Sequence, residues 1–391
     1  MKNFIILLSV LVTMIIILGC DDDTTVNPVV VDSNPFRVVF NENIGGDNWE
    51  WGKDIVAIPS GGYIVTGWTD SYGTGRNDLY LIRLDNTGNM VWQKNFGGLN
   101  NNSDDHGESV ILTNDGNILA VGGSNAFGTE YQHYIVKTDM DGNLVWEKTV
   151  STNTYESKSK VFEVPNGYII GGNRGVYPNE EYCALKIDLN GNILWDSTYS
   201  SSTESHFKSM TSTTDDGYIL AGSYFLKIDS SGNEVWRNIS YLSSSPDTDE
   251  IITSVINTSD GNYVASGGQT VPTANINDPY NLFMVKLNNS GVVLWQYQYD
   301  IPTFSGRSYV VENNDGSLSV IVSDSSDQAL SIVNIDANGL LDTTLSTGLS
   351  GLPFEMIQGH SGYAVTGFNQ ELLPDSTYDE GSVLVLEFEP K

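Results

Sequence analysis

Apolar residues in this chain come in short runs separated by Gly, Asn and Asp, and the separators recur. A Gly followed by Tyr, Asn or Ser opens an apolar run at Gly62, Gly116, Gly167, Gly217, Gly261, Gly316 and Gly362, in steps of 54, 51, 50, 44, 55 and 46 residues. A second separator follows each of the first four, Asp-x-x-Gly-Asn-x-x-Trp, ending in Trp92, Trp146, Trp195 and Trp236. A worn copy ends in Trp295, and the turn Asp336-Ala337-Asn338-Gly339 has Thr343 where Trp would stand. Asp and Asn bond their own backbone two residues on and Gly supplies positive φ, so both separators are tight hairpin turns. The runs between them alternate with period two and favour β-branched and aromatic residues, which reads as strand. Residues 79–84 and 182–187 are examples. In the first unit the strands are expected at 52–59, 63–69, 78–85 and 89–96. Four antiparallel strands copied about every fifty residues make a propeller blade. The chain is therefore expected to be all-β, a seven-bladed β-propeller of four-stranded blades.

The last unit stops after its third strand, residues 383–389, while residues 36–46 resemble the fourth strand of the first unit, 90–98. The N-terminal strand is thus expected to complete the last blade and close the ring, hiding the edges an open sheet would expose.

The first residues follow another pattern. A short basic start precedes an apolar stretch, residues 4–18, too short and wrongly flanked for a membrane span. Its end, Ile17-Leu18-Gly19-Cys20, resembles the lipobox of bacterial lipoproteins. The resemblance implies a signal peptide at 1–19, a lipidated Cys20 with a polar tether at 20–35, and a propeller at 36–391. Acyl chains would then be the only membrane contact. Asp21-Asp22-Asp23 resembles a surface-export signal in some bacteria and an inner-membrane retention signal in others. The expected location is the cell envelope, at the outer membrane or cell surface.

With 18 Lys and Arg against 49 Asp and Glu, the net charge is −31. That argues against nucleic acid and anionic lipid headgroups as partners, and suits a soluble, monomeric head. Cys183 is the one cysteine besides Cys20. It shares strand parity with Leu185 and Ile187, which predicts an inert core thiol with no histidine suggested locally. The four histidines, at 106, 133, 206 and 360, form no metal-protease pair, and no nucleophile elbow or phosphate loop occurs. No catalytic residue is assigned.

Blade geometry sorts the loops. The short Gly turns fall on one face; the strand 2–3 loops and inter-blade links, long and varied, fall on the other, where binding residues sit on a rigid scaffold. In or beside them are Trp49, Trp51, Trp68, Tyr72, Tyr131, His133, Tyr155, Tyr177, His206 and Tyr280, with Arg76 and Arg307 as scarce cations. Flat aromatics beside amides suit a glycan or peptide. Trp92, Trp146, Trp195, Trp236 and Trp295 are read instead as packing between blades. Asn100, Asn102, Asp104 and Asp105 crowd oxygen ligands of the kind calcium takes.

The Asp-x-x-Gly-Asn-x-x-Trp turns, with Trp closing each repeat over residues 36–391, resemble the tryptophan-docking repeats of quinoprotein-type (PQQ-like) β-propellers. Dehydrogenases of that superfamily have eight blades, a calcium site and adjacent bonded cysteines. Seven blades and a lone Cys183 therefore argue against pyrroloquinoline quinone here. The expected function is that of a lipid-anchored binding protein whose loop-rich face takes a glycan, peptide or protein. The alternatives are a protein-docking scaffold similar to the propeller lipoprotein of outer-membrane assembly, and a propeller hydrolase or lyase using loop carboxylates.

Overall fold

The computed structural model describes residues 35–98, 103–127, 131–150, 156–176, 179–200, 205–239, 250–270, 280–324, 328–369 and 381–391. The expected signal segment and Cys20 lie outside them. Seven four-stranded antiparallel sheets follow one another along the chain. The first holds Glu50–Ala57, Tyr63–Thr69, Asp78–Leu84 and Met90–Phe96. Its innermost strand begins two residues earlier than the hydrophobic pattern suggests, because Glu50 and Trp51 pair with Thr69 and Trp68.

Closure follows the expected route. Phe36–Ile44 pairs antiparallel with Ser382–Pro390, Phe36 opposite Pro390 and Ile44 opposite Val383. The Lys391 N–H donates to the Pro35 carbonyl at 2.9 Å, so the two chain segments meet where other blades have their third hairpin turn.

The core lies between blades. Strands two and three of each blade are buried on both faces, and alternate residues serve alternate neighbours. Tyr63, Val65, Tyr80 and Ile82 pack on Ala364, Val383 and Val385 of the last blade, while Ile64, Leu79 and Leu81 pack on Ile118, Ala120 and Val136 of the second. Period two here partitions side chains between two interfaces and does not separate core from solvent. The fourth strands are the wet ones: Val91, Val145, Leu194, Val235 and Leu294 are all half exposed or more.

The recurrent tryptophans have a definite seat. A Cβ on Gly142 would lie 3.2 Å from Trp92, on Gly191 3.3 Å from Trp146, on Gly232 2.7 Å from Trp195, on Gly291 2.7 Å from Trp236 and on Gly339 2.8 Å from Trp295. Each indole therefore covers the turn glycine of the next blade. Three also donate Nε1–H to that turn, Trp92 to Met140 O (3.1 Å), Trp236 to Asn289 O (3.2 Å) and Trp295 to Ala337 O (3.4 Å). At the closure Phe40 occupies the tryptophan register, opposite Glu387 as Trp92 is opposite Arg83, and it covers Gly88 of blade one. Thr343 breaks the series for a physical reason. Its neighbour, the seventh blade, has Pro35 and Lys391 where the other blades have a glycine turn, so an indole there would lack that seat.

Candidate functional site

Seven innermost strands line a central channel and run from the loop-rich face to the turn face. Six carry a β-bulge at the same register, between Gly52 and Asp54, Gly107 and Ser109, Ser157 and Ser159, Phe207 and Ser209, Ile252 and Ser254, and Pro353 and Glu355. A bulged residue is unpaired and its side chain is re-aimed. Lys53, Glu108, Lys208, Thr253 and Phe354 are bulge residues, and all line one cavity of about 210 Å³ at the loop-side mouth. The sixth blade has no such bulge. It reaches the same cavity through a short turn, Phe304–Gly306, in which Ser305 has φ +53° and which delivers Arg307. The turn is clamped: a Cβ on Gly268 would lie 2.3 Å from the Gly306 Cα.

The charge of this mouth opposes that of the chain. Four of the 18 Lys and Arg residues, Lys53, Lys160, Lys208 and Arg307, line it with the carboxylates of Glu108 and Glu355. Lys160 plugs the floor, 3.2 Å from Asp54 Oδ1 and 2.7 Å from Glu355 Oε2. Asp54 Oδ2 accepts from the Ser109 hydroxyl (2.8 Å) and the Val110 N–H (2.9 Å), so the ion group joins blades one, two, three and seven. Burial disfavours the Lys160 charge, but Asp54 and Glu355 outweigh it and hold the ammonium above its ordinary pKa. Burial, with Asp54 beside it, pushes the Glu355 carboxyl up even though Lys160 pulls it down. Below this floor a second cavity, about 500 Å³, opens to the turn face past Val56, Ile111, Phe162, Ile256 and Val311.

An aromatic ladder leads from the loop face into the mouth. Trp49, 39% exposed, stacks on Phe368 at 5.7 Å; Phe368 meets Trp51 at 4.7 Å. Trp51 stacks on Trp68 at 5.7 Å and meets Phe354 at 5.2 Å. Lys53 Nζ sits 4.2 Å from the Phe354 ring centre and Arg307 Cζ 4.4 Å from it, within cation–π range.

The structure thus unites four of the residues singled out by sequence, Trp49, Trp51, Trp68 and Arg307, through Phe354 and Phe368, which were not. The others are scattered. Tyr72 donates its hydroxyl to Gly45 O at 3.1 Å and stacks on Tyr80. Arg76 is exposed, held by its N–H to Ser103 O at 2.7 Å. Tyr131 lies 5.7 Å from the His106 ring, and His206 Nδ1 lies 2.8 Å from Glu180. Tyr280 backs the 304–306 turn, accepting the Thr303 N–H at 3.0 Å. Tyr155 and Tyr177 lie outside the described residues.

His133 departs from its expected place. It is fully buried between blades two and three, Nδ1 3.0 Å from Ser159 Oγ and Nε2 3.8 Å from Cys183 Sγ. Cys183 is buried as its parity predicts, yet a histidine is beside it, supplied by the neighbouring blade and so invisible along the chain.

Of the oxygen-rich loop, Asn100 and Asn102 lie outside the described residues. Asp104 Oδ1 accepts from Asn77 at 2.7 Å, and the fully buried Asp105 accepts the Gly98 N–H at 2.9 Å. Burial pushes the pKa of Asp105 up, and likewise that of Asp78, which also faces Asp105. Among the described residues no group of three or more His, Cys, Asp or Glu is placed to hold a metal.

The bulge column, Lys53, Glu108, Lys208 and Phe354, was missed from sequence. Aligning the repeats on their first strands puts these residues in register, and charge recurring in one column of a strand otherwise built to pack would have been the signal.

No protein-family model and no curated protein sequence matches the chain. Solved structures share its architecture. Kuenenia stuttgartiensis hydrazine synthase superposes with a TM-score of 0.57 at 11% identity, over 87% of this chain and 96% of that one. YCF48 bound to a D1 peptide gives 0.52 at 10% identity, over 91% and 96%. Chaetomium thermophilum Sqt1 bound to the N-terminus of ribosomal protein L10 gives 0.52 at 11%, over 90% and 100%. At such identities the likeness is one of fold, and the chain is a seven-bladed β-propeller scaffold.

Proposed function

We propose that this chain is a lipid-anchored binding scaffold of the bacterial cell envelope, with tryptophan-docking repeats of the quinoprotein type, whose loop-rich propeller face docks a protein or peptide. The observation that carries this reading is the ladder of Trp49, Phe368, Trp51 and Phe354 running from the surface into a cationic channel mouth. Aromatic anchors around a pocket are how protein-docking surfaces concentrate binding energy. The same fold carries a D1 peptide in YCF48 and a ribosomal protein segment in Sqt1, which supports the partner class by analogy of fold alone.

Phe36 pairs with Pro390, so the described chain enters the propeller at the turn-face end of the last blade. Anchoring would be by lipid alone, at the outer membrane or cell surface, and a calcium ion at Asp104 and Asp105 would be accessory.

The test is photo-crosslinking in intact cells from positions 49 and 68, with position 91 on the outer strand as control. Recovery of one protein from the first two positions alone supports the reading. Equal labelling from all three, or none from the loop face, refutes it. Radiolabelled palmitate on wild type and its absence from Cys20→Ser tests the anchor.

A further inference from the structure

We propose that the loop-side channel mouth is a carboxylate site: it takes one carboxylate of a bound peptide between Arg307 and Lys208, with the apolar part of the same peptide on Phe354. This deepens the docking reading above and rests on it.

Three observations converge. The first is the inverted charge. In a chain with more than twice as many acids as bases, this cavity has four cationic side chains and two carboxylates. Asp54 and Glu355 are both engaged by Lys160 on the floor, and Lys53, Lys208, Arg307 and Glu108 line the mouth above it. Beyond roughly 8 Å salt screens the acidic surface, so a ligand in the mouth responds to these local charges.

The second is unmet hydrogen bonding. Among the described residues Arg307 Nη1 is a buried donor with no acceptor, and Trp51 Nε1 is another. The two side chains flank Phe354, Trp51 at 5.2 Å and Arg307 at 4.4 Å. A buried donor without an acceptor carries an uncompensated desolvation penalty, and a carboxylate supplies two oxygens to a guanidinium fork. The sixth blade builds this arrangement by departing from the ring's pattern, with a left-handed Ser305 and a glycine-on-glycine contact that fix where Arg307 enters.

The third is size. A cavity of about 210 Å³ is smaller than the roughly 300–1,000 Å³ of sites that enclose a whole small ligand. It suits one acidic side chain or a chain terminus, with the rest of the ligand outside on the aromatic ladder.

The experiment is calorimetric titration of the full chain with four peptides, acetyl-Gly-Phe-Glu-Glu and acetyl-Gly-Phe-Gln-Gln, each as free acid and as amide. Glutarate and polygalacturonate run in parallel. Binding is expected for every peptide with a carboxylate and not for the Gln amide, which has none. Comparing the Glu amide with the Gln acid then tells a side-chain carboxylate from a chain terminus, and glutarate reports a free dicarboxylate. Arg307→Gln and Lys208→Gln should each weaken binding about tenfold or more, the loss of one charge-assisted hydrogen bond. Lys208 is exposed, so its variant keeps the test valid should Arg307→Gln melt. The proposal is overturned if the Gln amide binds as well as the acids, if no acid binds at millimolar concentration, if both variants bind like wild type, or if polygalacturonate alone binds. Should no acid bind while crosslinking from positions 49 and 68 still recovers a protein, the carboxylate site falls and the docking reading stands.

Discussion

The Lys160 ammonium of blade three lies 2.7 Å from the Glu355 carboxylate of blade seven, a bond across the channel between residues 195 apart in sequence. Among the described residues no backbone pairing joins these blades, so the Lys160–Glu355–Asp54 group is a strut across the ring. Removing one partner of a fully buried pair costs about 3–5 kcal/mol because it strands the other charge, and this pair, with side chains 23% and 19% exposed, should lose less.

Lys160→Met should therefore destabilise the protein, and by more at pH 8 than at pH 5. Glu355 already titrates above its ordinary value, and without Lys160 it would rise further. A carboxylate raised on folding contributes stability that is fully present below its unfolded pKa and lost as pH rises through the folded one. Urea midpoints of wild type, Lys160→Met and Lys160→Met/Glu355→Gln across that range check this. An equal deficit at both pH values would refute the coupling, and the double variant should recover part of the loss.

Two glycines separate turn strain from tryptophan docking. Gly116 and Gly232 have φ +78° and +82°; a Cβ on Gly116 meets nothing within 4 Å, whereas one on Gly232 lies 2.7 Å from Trp195. Gly116→Ala should cost about 1 kcal/mol, the strain of a left-handed residue. Gly232→Ala should cost clearly more, since the indole must also move. Equal costs in denaturant titrations would mean that the indole seat imposes no constraint.

Phe40 is 5% exposed and stands in for the tryptophan at the ring closure. Phe40→Ala should cost about 3–5 kcal/mol. Deleting residues 36–44 should do more than destabilise, because it leaves Ser382–Pro390 as an unpaired edge, the kind of surface that recruits other chains. Light scattering after dilution from urea, deletion against Phe40→Ala, measures the difference; a monomeric, cooperatively folding deletion would contradict it.

Acid sensitivity has a repeated source. In three blades the Asp of the first hairpin turn binds a buried Lys of the third strand: Asp115 with Lys137 at 2.6 Å, Asp215 with Lys227 at 2.7 Å and Asp260 with Lys286 at 2.7 Å. Burial opposes the Asp115 charge, but hydrogen bonds from Lys137 and Thr113 lower its pKa to about 2. A carboxylate depressed on folding contributes stability that is present above its unfolded value, near 3.8, and lost as pH falls toward 2. Asp115→Asn should thus be less stable than wild type at pH 7, with the gap narrowing below pH 4. Thermal midpoints against pH check this, and a gap independent of pH would remove the ion pair as its cause.

Much of this molecule is local in origin. Turn chemistry at Gly62, Gly88 and their copies, with alternation between, determines seven four-stranded units, because a hairpin depends on residues a few positions apart. Even ring closure was legible, since residues 36–46 carry the pattern of a fourth strand that the last unit lacks. The aromatic half of the candidate site, Trp49, Trp51 and Trp68, could be named because exposed loops interrupt the pattern visibly.

The rest arises between blades, where no local rule reaches. His133 reads as a loop residue and is buried against Ser159 and Cys183, since which blade covers a strand end is decided by packing. Lys53, Lys208 and Phe354 lie inside strands where alternation predicts a packed side chain. A bulge in each of their three blades re-aims them into the channel, and ring closure brings them together with Arg307, at distances along the chain that only the closed ring makes short.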